Sequence, residues 1–330
     1  MAEPGLSELI TTTGRLRSKK LKDNVSDSHP ILFAMDKYGG MQDATGGRTI
    51  VEEMSYGQNG TVQWYDGGTE FNMSSAPVLT SAEFNWKSLG GSFVITGKEK
   101  RMNSGPEQYI PLVSSRMKVL EDTMMNQLHS GLLGDGTSSS GQSVGGAALL
   151  VAKIPSTGVV GGIDRSTAAG TFYRNHKFAT ATDWTDGAIN AGNVRRGYDK
   201  CINATTRGSD KPTVAVAGND HWEYLMAALA AQQRLEDPAM AKAGFENIVY
   251  RGVPVVFGGG ISFSGLSLVQ NDLTYFFNTK YFKLVVHNAA NFEMLEEVQS
   301  INQDLIARLM IWMGNCTLSN AKAQSVLFDS

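Results

Sequence analysis

The sequence predicts an α+β fold, and three patterns along the chain lead to that prediction. Short β-rich runs separated by turn signals occupy residues 48–103, and one long helical pattern follows at 106–133. From residue 192 onwards, helices and strands alternate. Segregated strand-rich and helix-rich segments are typical of α+β proteins. At roughly 150 residues per domain, the 330-residue chain is expected to form about two domains or one elaborate one.

The β-rich segment is expected to form a long, thin hairpin system. Asn59-Gly60 is the strongest short hairpin signal, because both residues tolerate positive φ, and Asp66-Gly67-Gly68 marks a second turn. An isolated hairpin has too few neighbours to bury its aromatic side chains. These side chains must therefore pack on the body of the same chain or on another subunit. The predicted strand runs are Thr49–Tyr56, Thr61–Tyr65, Glu83–Trp86 and Ser92–Thr96.

The clearest helix is expected at residues 106–133. Pro106 and Pro111 lie near its start, where a missing N–H is tolerated, and Gly134-Asp135-Gly136 is expected to end it. Its apolar residues recur every three or four positions and therefore share one face of the helix. They are Val113, Met117, Leu120, Met124, Leu128 and Leu132.

The remainder of the chain predicts a mixed body. A helix is expected around 194–202, and Asn219 is placed to cap a second helix that runs through Leu229. Strands are expected at Thr213–Ala217, at Ile248–Phe257 with an interruption at Arg251-Gly252, and at 266–269, 275–286 and 305–313.

The composition narrows the class of protein. Charged residues make up only 18 % of the chain, against about 25 % in an ordinary soluble domain. This low share is typical either of a weakly charged globular protein or of a surface that other chains cover in large part, and we favour the second. A net charge of -3 argues against a dedicated nucleic-acid binder. Cys201 and Cys316 form no CxxC pair, which indicates a reducing compartment, and neither a signal peptide nor a membrane-spanning segment is expected.

Two short segments resemble catalytic or phosphate-binding motifs, but neither has the local structure that its motif requires. Gly141-Gln142-Ser143-Val144-Gly145 matches the G-x-S-x-G elbow of serine hydrolases, but that elbow needs a preceding strand, and here a helix precedes it. Residues 91–98 resemble a phosphate loop only loosely, because the spacing is one residue too long and Glu99 replaces the Ser or Thr that would hold Mg²⁺. We expect no catalytic, cofactor-binding or metal-binding residues and no enzyme. A hydrolase that uses Ser143 remains the enzymatic alternative.

Several short sequence segments, taken in their order along the chain, resemble one known protein family. They are Gly90–Ser104, Leu132–Thr137, Gly161–Arg165, Phe172–Asn175, Trp312–Asn315 and Ser319-Asn320. Their order resembles the major capsid proteins of tailed bacteriophages, which have the Hong Kong 97-type fold. The resemblance covers roughly residues 30–328, nearly the whole chain.

This resemblance implies a domain organisation. It comprises an N-terminal arm, an extended β-hairpin loop that lies over a neighbouring subunit, a peripheral domain with a long spine helix, an α/β axial domain, and strands that return to the peripheral domain. The corresponding residues are 1–47, 48–103, 104–160, 161–265 and 266–330.

The resemblance also implies a function and partners. The chain would assemble as hexamers and pentamers into an icosahedral shell around double-stranded DNA, in the cytoplasm of a bacterial host, and would end in the virion. Its partners would be itself, a separate scaffold, the portal, decoration or cement proteins and, non-specifically, packaged DNA, with no membrane involved. An encapsulin-like cargo shell shares the implied fold and is the principal alternative, and a tail or decoration protein is a further one.

Two sets of residues are expected to make contacts outside the subunit. Contacts between subunits are expected at Tyr56, Trp64, Tyr65, Phe71, Trp86, Lys98, Lys100 and Arg101. Contacts of the arm with a neighbour, the scaffold or DNA are expected at Arg15, Arg17, Lys19, Lys20 and Lys22.

Overall fold

A computed structural model describes most of the chain. The described residues are 30–74, 77–102, 112–183, 187–229, 247–259, 269–296, 298–299 and 303–329. The basic cluster expected in the arm, from Arg15 to Lys22, lies outside these residues. Residues 106–111, the start of the helix predicted at 106–133, also lie outside them.

The structure contains both helices and strands, as predicted for an α+β protein. The helices are α1 Pro30–Lys37, α2 Gly97–Met102, α3 Leu112–Leu133, α4 Ser138–Gly141, α5 Ala147–Leu150, α6 Thr180–Asp183, α7 Val194–Thr205 and α8 Asn219–Leu229. The strands up to residue 217 are β1 Met41–Ala44, β2 Ile50–Ser55, β3 Leu79–Phe84, β4 Lys87–Thr96, β5 Val159–Val160, β6 Ile163–Asp164, β7 His176–Ala179 and β8 Val214–Ala217. The later strands are β9 Asn247–Tyr250, β10 Val253–Phe257, β11 Leu273–Phe277, β12 Phe282–His287, β13 Glu293–Met294, β14 Val298–Gln299, β15 Leu305–Leu318 and β16 Ser325–Phe328.

The first large sheet, sheet 1, is built around the long strand β15. On one side β15 pairs with β4 along its first ten residues, from Leu305 opposite Thr96 to Gly314 opposite Lys87. On the other side it pairs with β12, β13 and β14, and β1 extends the sheet beyond β12. Helix α3 covers one face of this sheet: Gly91 of β4 lies against Leu120 and Met124. The two longest strands of sheet 1, β4 and β15, are therefore far apart in the sequence.

The second large sheet, sheet 2, has the strand order β7-β16-β11-β8-β10-β9. Strand β8 is buried along its whole length, as expected of a continuous apolar run between two layers. One face of sheet 2 joins the main apolar core, and the other packs against α7 and α8 through residues such as Tyr198 and Leu225. The predicted helices around 194–202 and from Asn219 are confirmed, as is the strand pair that turns at Arg251-Gly252.

Only part of the predicted hairpin system forms, and its turn was misplaced. The predicted run Ser92–Thr96 belongs to β4, which pairs with β15 in sheet 1 instead. Strands β2 and β3 pair from Ile50 opposite Phe84 to Ser55 opposite Leu79, with Ile50, Met54, Ala82 and Phe84 buried on one face. The strand predicted at Thr61–Tyr65 is wrong, and Asn59-Gly60 does not join two paired strands, because residues 56–74 and 77–78 contain no strand. We call residues 56–78 the distal loop; residues 75 and 76 lie outside the described part.

Two strand predictions near the C-terminal end also need correction. The strand expected at 305–313 continues to Leu318, because Gly314 and Asn315 remain in register with Val286 and Val285 instead of ending it. The strand expected at 275–286 is two strands in different sheets, separated at Asn278–Tyr281. The strand expected at 266–269 lies almost wholly outside the described residues, and Val269 itself is not in a strand.

Candidate assembly surface

The distal loop carries large apolar side chains that the rest of the subunit does not cover. Trp64 is fully exposed, and the exposed fractions of Met73 and Val62 are 93 % and 83 %. The rings of Tyr65 and Phe71 pack on each other with centroids 4.9 Å apart, yet both stay exposed. Exposed apolar side chains gathered in one segment are typical of an interaction surface.

Local hydrogen bonds give the distal loop a defined shape. Asn59 accepts hydrogen bonds from the N–H and the hydroxyl of Thr61, at 3.0 Å and 2.8 Å. The Gln63 side chain donates to the carbonyl of Glu70 at 2.9 Å, so it ties the two limbs of the loop together. The loop holds two carboxylates, Asp66 and Glu70, and no basic residue. It is therefore an apolar segment of net negative charge.

A second, partly exposed apolar surface lies on the outer face of sheet 1. Side chains along β15 alternate between the two faces. Met310 and Trp312 are almost completely buried on the face that α3 covers. The odd-numbered residues from 305 to 313 therefore point away from α3. Ala307 pairs with Val94 on one side and with Val298 on the other, and these two valines are 41 % and 56 % exposed. We call this surface the outer stripe: Val94, Val298, Leu305, Ala307, Leu309, Ile311 and Met313.

Helix α2 forms a basic end to the outer stripe, since it follows Thr96, which pairs with Leu305. Its start is a capping box: Glu99 accepts from the Thr96 N–H at 3.0 Å, and the Thr96 hydroxyl accepts from the Glu99 N–H at 3.3 Å. Arg116 of α3 then binds Glu99 at 2.9 Å. Burial by itself would raise the pKa of Glu99, but the bonds from Thr96 and Arg116 lower it below its ordinary value.

Comparisons with known proteins identify the fold. Neither a protein-family model nor a curated protein sequence matches the chain. Among solved structures, the cyanophage A-1(L) capsid asymmetric unit matches with a TM-score of 0.65 over 97 % of this chain and 98 % of that chain, at 13 % identity. The structure of Mycobacterium phage Adephagia matches with a TM-score of 0.58 over 100 % and 99 %, at 10 % identity. The chain has the Hong Kong 97-type capsid fold.

The same fold also occurs outside phage particles. The holo-SrpI encapsulin complex from Synechococcus elongatus PCC 7942 matches with a TM-score of 0.59 over 99 % of this chain and 96 % of that chain, at 10 % identity. At such low identity the likeness concerns the fold alone.

The residues expected to contact other subunits occupy three kinds of position in this Hong Kong 97-type subunit. Trp64, Tyr65 and Phe71 lie on the exposed distal loop. Trp86 and Tyr56 contact their own chain: the Trp86 indole N–H donates to the Gly47 carbonyl at 3.0 Å, and the Tyr56 ring lies 5.3 Å from that of Phe172. Of the α2 residues, Lys98 is exposed and Arg101 is paired with Asp304, while the side chain of Lys100 lies outside the described part.

The hydrolase motif does not form a nucleophile elbow. Gly141 ends α4 and residues 142–145 lie between α4 and α5, so no strand precedes Ser143. Gly145 donates its N–H to the Asn315 side chain at 3.1 Å, which attaches this segment to β15. The phosphate-loop resemblance fails similarly, because residues 91–96 belong to β4. In the described parts of the chain, no group of three His, Cys, Asp or Glu side chains could hold a metal ion, and no helix is long and apolar enough to cross a membrane.

One structural residue that pattern analysis missed is Arg165. It is completely buried and donates to the carbonyls of Leu149 and Leu150, at 3.1 Å and 2.8 Å, at the end of α5. Its guanidinium lies 5.3 Å from the centre of the Tyr173 ring, and the Tyr173 hydroxyl donates to the Leu318 carbonyl at the end of β15. Arg165 therefore holds α5, the following loop and β15 together. Its sequence neighbours carry no periodic pattern that would have revealed this.

Proposed function

We propose that the chain is the major capsid protein of a tailed bacteriophage, which assembles as hexamers and pentamers into an icosahedral shell around double-stranded DNA. The observation that carries the proposal is the near-complete coverage of phage capsid subunits by this chain and of this chain by them. Two apolar surfaces, the exposed distal loop and the partly exposed outer stripe, support it. A subunit can bury both by binding further copies of itself.

In the proposed shell, the distal loop of one subunit lies on the outer stripe of its neighbour. Both surfaces are apolar, and their charges are complementary: Asp66 and Glu70 are the charged residues of the loop, whereas α2 at the end of the stripe contains Lys98 and Lys100 besides Arg101, which is already paired with Asp304. Burying Trp64 alone would remove a large apolar side chain from water, an effect of about 1.5–3 kcal/mol for each such side chain. Repeated around a closed shell, contacts of this size give a stable particle.

The proposed domains follow the sheets. Sheet 1 with α3 corresponds to the peripheral domain and its spine helix, and sheet 2 with α7 and α8 corresponds to the axial domain around the five-fold and six-fold axes. Strands β11 and β16 belong to sheet 2, so part of the C-terminal return would lie in the axial domain. Scaffold, portal and cement proteins, assembly in the bacterial cytoplasm and non-specific contact with DNA complete the proposal.

Electron microscopy of the purified protein tests the proposal directly. We expect closed particles of uniform diameter. Deletion of residues 57–70 should leave a soluble, folded body that forms no stable shells, because it removes Val62, Trp64 and Tyr65. A matched control replaces the same residues with a Gly/Ser linker of equal length, which keeps the spacing between β2 and β3. Normal particles from both variants would contradict the role of the distal loop.

A cargo shell is the second candidate, because an encapsulin matches as fully as the phage capsids do. The two functions differ in what the particle encloses. Particles isolated from the source cells should contain nuclease-resistant double-stranded DNA if the chain is a phage capsid protein. A particle that encloses a defined protein and no DNA would favour the cargo shell.

A further inference from the structure

Two neighbouring chain segments connect the two large sheets. Strand β11 of sheet 2 continues into β12 of sheet 1 through Asn278–Tyr281, and β15 of sheet 1 continues into β16 of sheet 2 through Ser319–Gln324. These two runs are antiparallel partners in both sheets. The ladder between them therefore passes from one sheet to the other and is interrupted only at the connections. We call residues 278–281 and 319–324 together the joint.

At the joint, a side chain takes the place of a peptide group in the ladder. The Asn278 N–H donates to Gln324 Oε1 at 2.8 Å, and Gln324 Nε2 donates to the Asn278 carbonyl at 3.1 Å. Gln324 is completely buried and Asn278 is 1 % exposed. A glutamine side chain ends in the same amide group as a peptide, so it can bond reciprocally with a backbone N–H and C=O.

Further hydrogen bonds anchor the joint on the sheet 2 side. Asn278 Nδ2 donates to Asp210 Oδ1 and to the Lys211 carbonyl, both at 3.1 Å. The Tyr281 hydroxyl donates to the other oxygen of Asp210 at 2.5 Å, and this bond contributes most to lowering the pKa of Asp210. On the other side, the Thr279 hydroxyl donates to the Tyr38 carbonyl at 3.0 Å, next to sheet 1. The joint is thus fixed to both parts of the subunit.

We infer that Gln324 is a positioning residue that sets the angle between sheet 1 and sheet 2, and through that angle the uniform curvature of the shell. The inference rests on the proposed function. Apolar packing across the two sheets is non-directional and tolerates small changes of angle. A buried, reciprocal amide pair is directional and tolerates few. Because many copies of the subunit close one shell, a larger spread in this angle adds up around the shell and produces particles of different sizes.

The test replaces Gln324→Met, which keeps the length and volume of the side chain and removes both hydrogen bonds. We expect folded subunits that assemble into particles without the single diameter of the wild type, as measured by electron microscopy and light scattering. The matched control is Thr274→Val. Thr274 is also completely buried and bonds to His221 and Tyr198, but it lies inside sheet 2, away from the joint. This control should lower the melting temperature and keep one particle diameter.

The outcomes separate this inference from the proposed function. Uniform wild-type-sized particles from Gln324→Met, with only a lower melting temperature, would overturn it. If that variant does not fold, Gln324→Asn keeps the buried amide but shortens its reach to the Asn278 backbone by one carbon; uniform particles from it would overturn the inference equally. If the wild type forms no particles, the proposed function fails. The inference is then decided by crystal structures of the free subunits, where an unchanged angle between the sheets overturns it.

Discussion

His221 illustrates how a single buried residue can control stability. It lies in α8 with its Nδ1 sharing a hydrogen bond with the Thr274 hydroxyl at 2.9 Å, and Thr274 is also 3.2 Å from the Tyr198 hydroxyl. Burial lowers the pKa of His221 from its ordinary value to about 4. Three carboxylates oppose this shift and Lys153 reinforces it; the carboxylates belong to Asp220, Asp272 and Asp329.

This pKa predicts that the subunit loses stability on acidification. The unfolded chain binds a proton at His221 below about pH 6.5, while the folded chain does so only near pH 4. Between these values the unfolded state holds more protons, so the free energy of unfolding falls as the pH falls. We expect a loss of about 2 kcal/mol between pH 7.5 and pH 5 from this residue. Denaturant unfolding of unassembled subunits across this range measures it.

The control for this prediction is His221→Gln, which can still bond to Thr274 but does not titrate. Its free energy of unfolding should depend less on pH than that of the wild type. Identical pH profiles for the two proteins would show that His221 is not responsible for the acid sensitivity.

Single residues were the hardest level to predict from the sequence. Apolar spacing correctly placed Met124, Leu128 and Leu132 in the core. The buried polar residues Arg165 and Gln324 carry no such spacing, because their partners are backbone carbonyls and amides of distant segments. A hydrogen bond between residue 324 and residue 278 leaves no local trace in the sequence, so only the folded chain reveals it.

Strand β4 and helix α3 provide a test at the scale of elements. A Cβ at Gly91 would lie 2.5 Å from Leu120 Cδ1 and 3.3 Å from the Met124 sulfur. A Cβ at the adjacent Gly90, on the outer face, would find its nearest neighbour, the Met310 carbonyl oxygen, at 3.7 Å. The two glycines therefore differ in whether the helix leaves room for a methyl group.

We expect Gly91→Ala to displace the Leu120 side chain of α3 and to lower the free energy of unfolding by about 1–2 kcal/mol. Gly90→Ala should leave it within about 1 kcal/mol of the wild type, since the alanine also restricts the unfolded chain. Denaturant unfolding of both variants gives the comparison. Equal effects would mean that α3 does not pack on β4 at this point.

Elements were predicted well where the pattern was strong and local. Helix α3 ends at Leu133, as the Gly134-Asp135-Gly136 signal predicted, and β8 begins within one residue of its predicted start. The errors arose where tertiary pairing overrides local signals. Thr61–Tyr65 has β-forming residues but pairs with no strand in the described distal loop, while Gly314 stays in β15 because strands flank it on both sides.

For the whole molecule, Trp64 and Trp86 separate assembly from folding. Trp64 is fully exposed on the distal loop, whereas Trp86 is partly buried against Gly47 and His287, with its ring 5.5 Å from that of His287. We expect Trp64→Ala to leave the free energy of unfolding of the subunit unchanged and to raise the protein concentration needed for assembly. Light scattering against concentration, together with denaturant unfolding, measures both quantities.

Trp86→Ala is the matched comparison. It should lower the free energy of unfolding of the subunit, by no more than the roughly 3–5 kcal/mol of a fully buried tryptophan. If Trp64→Ala destabilises the free subunit, the distal loop packs on its own chain. If Trp64→Ala assembles at the same protein concentration as the wild type, the proposed contact is wrong.

The pairing of β4 with β15 has a consequence for the order of events during protein synthesis. The outer stripe does not exist until residues 305–313 have left the ribosome and paired with residues made more than two hundred positions earlier. In the proposed assembly, an incomplete chain could display its distal loop but would offer no surface to receive one. Translation itself would then delay shell growth until each chain is nearly finished, and truncated chains would be excluded from the particle.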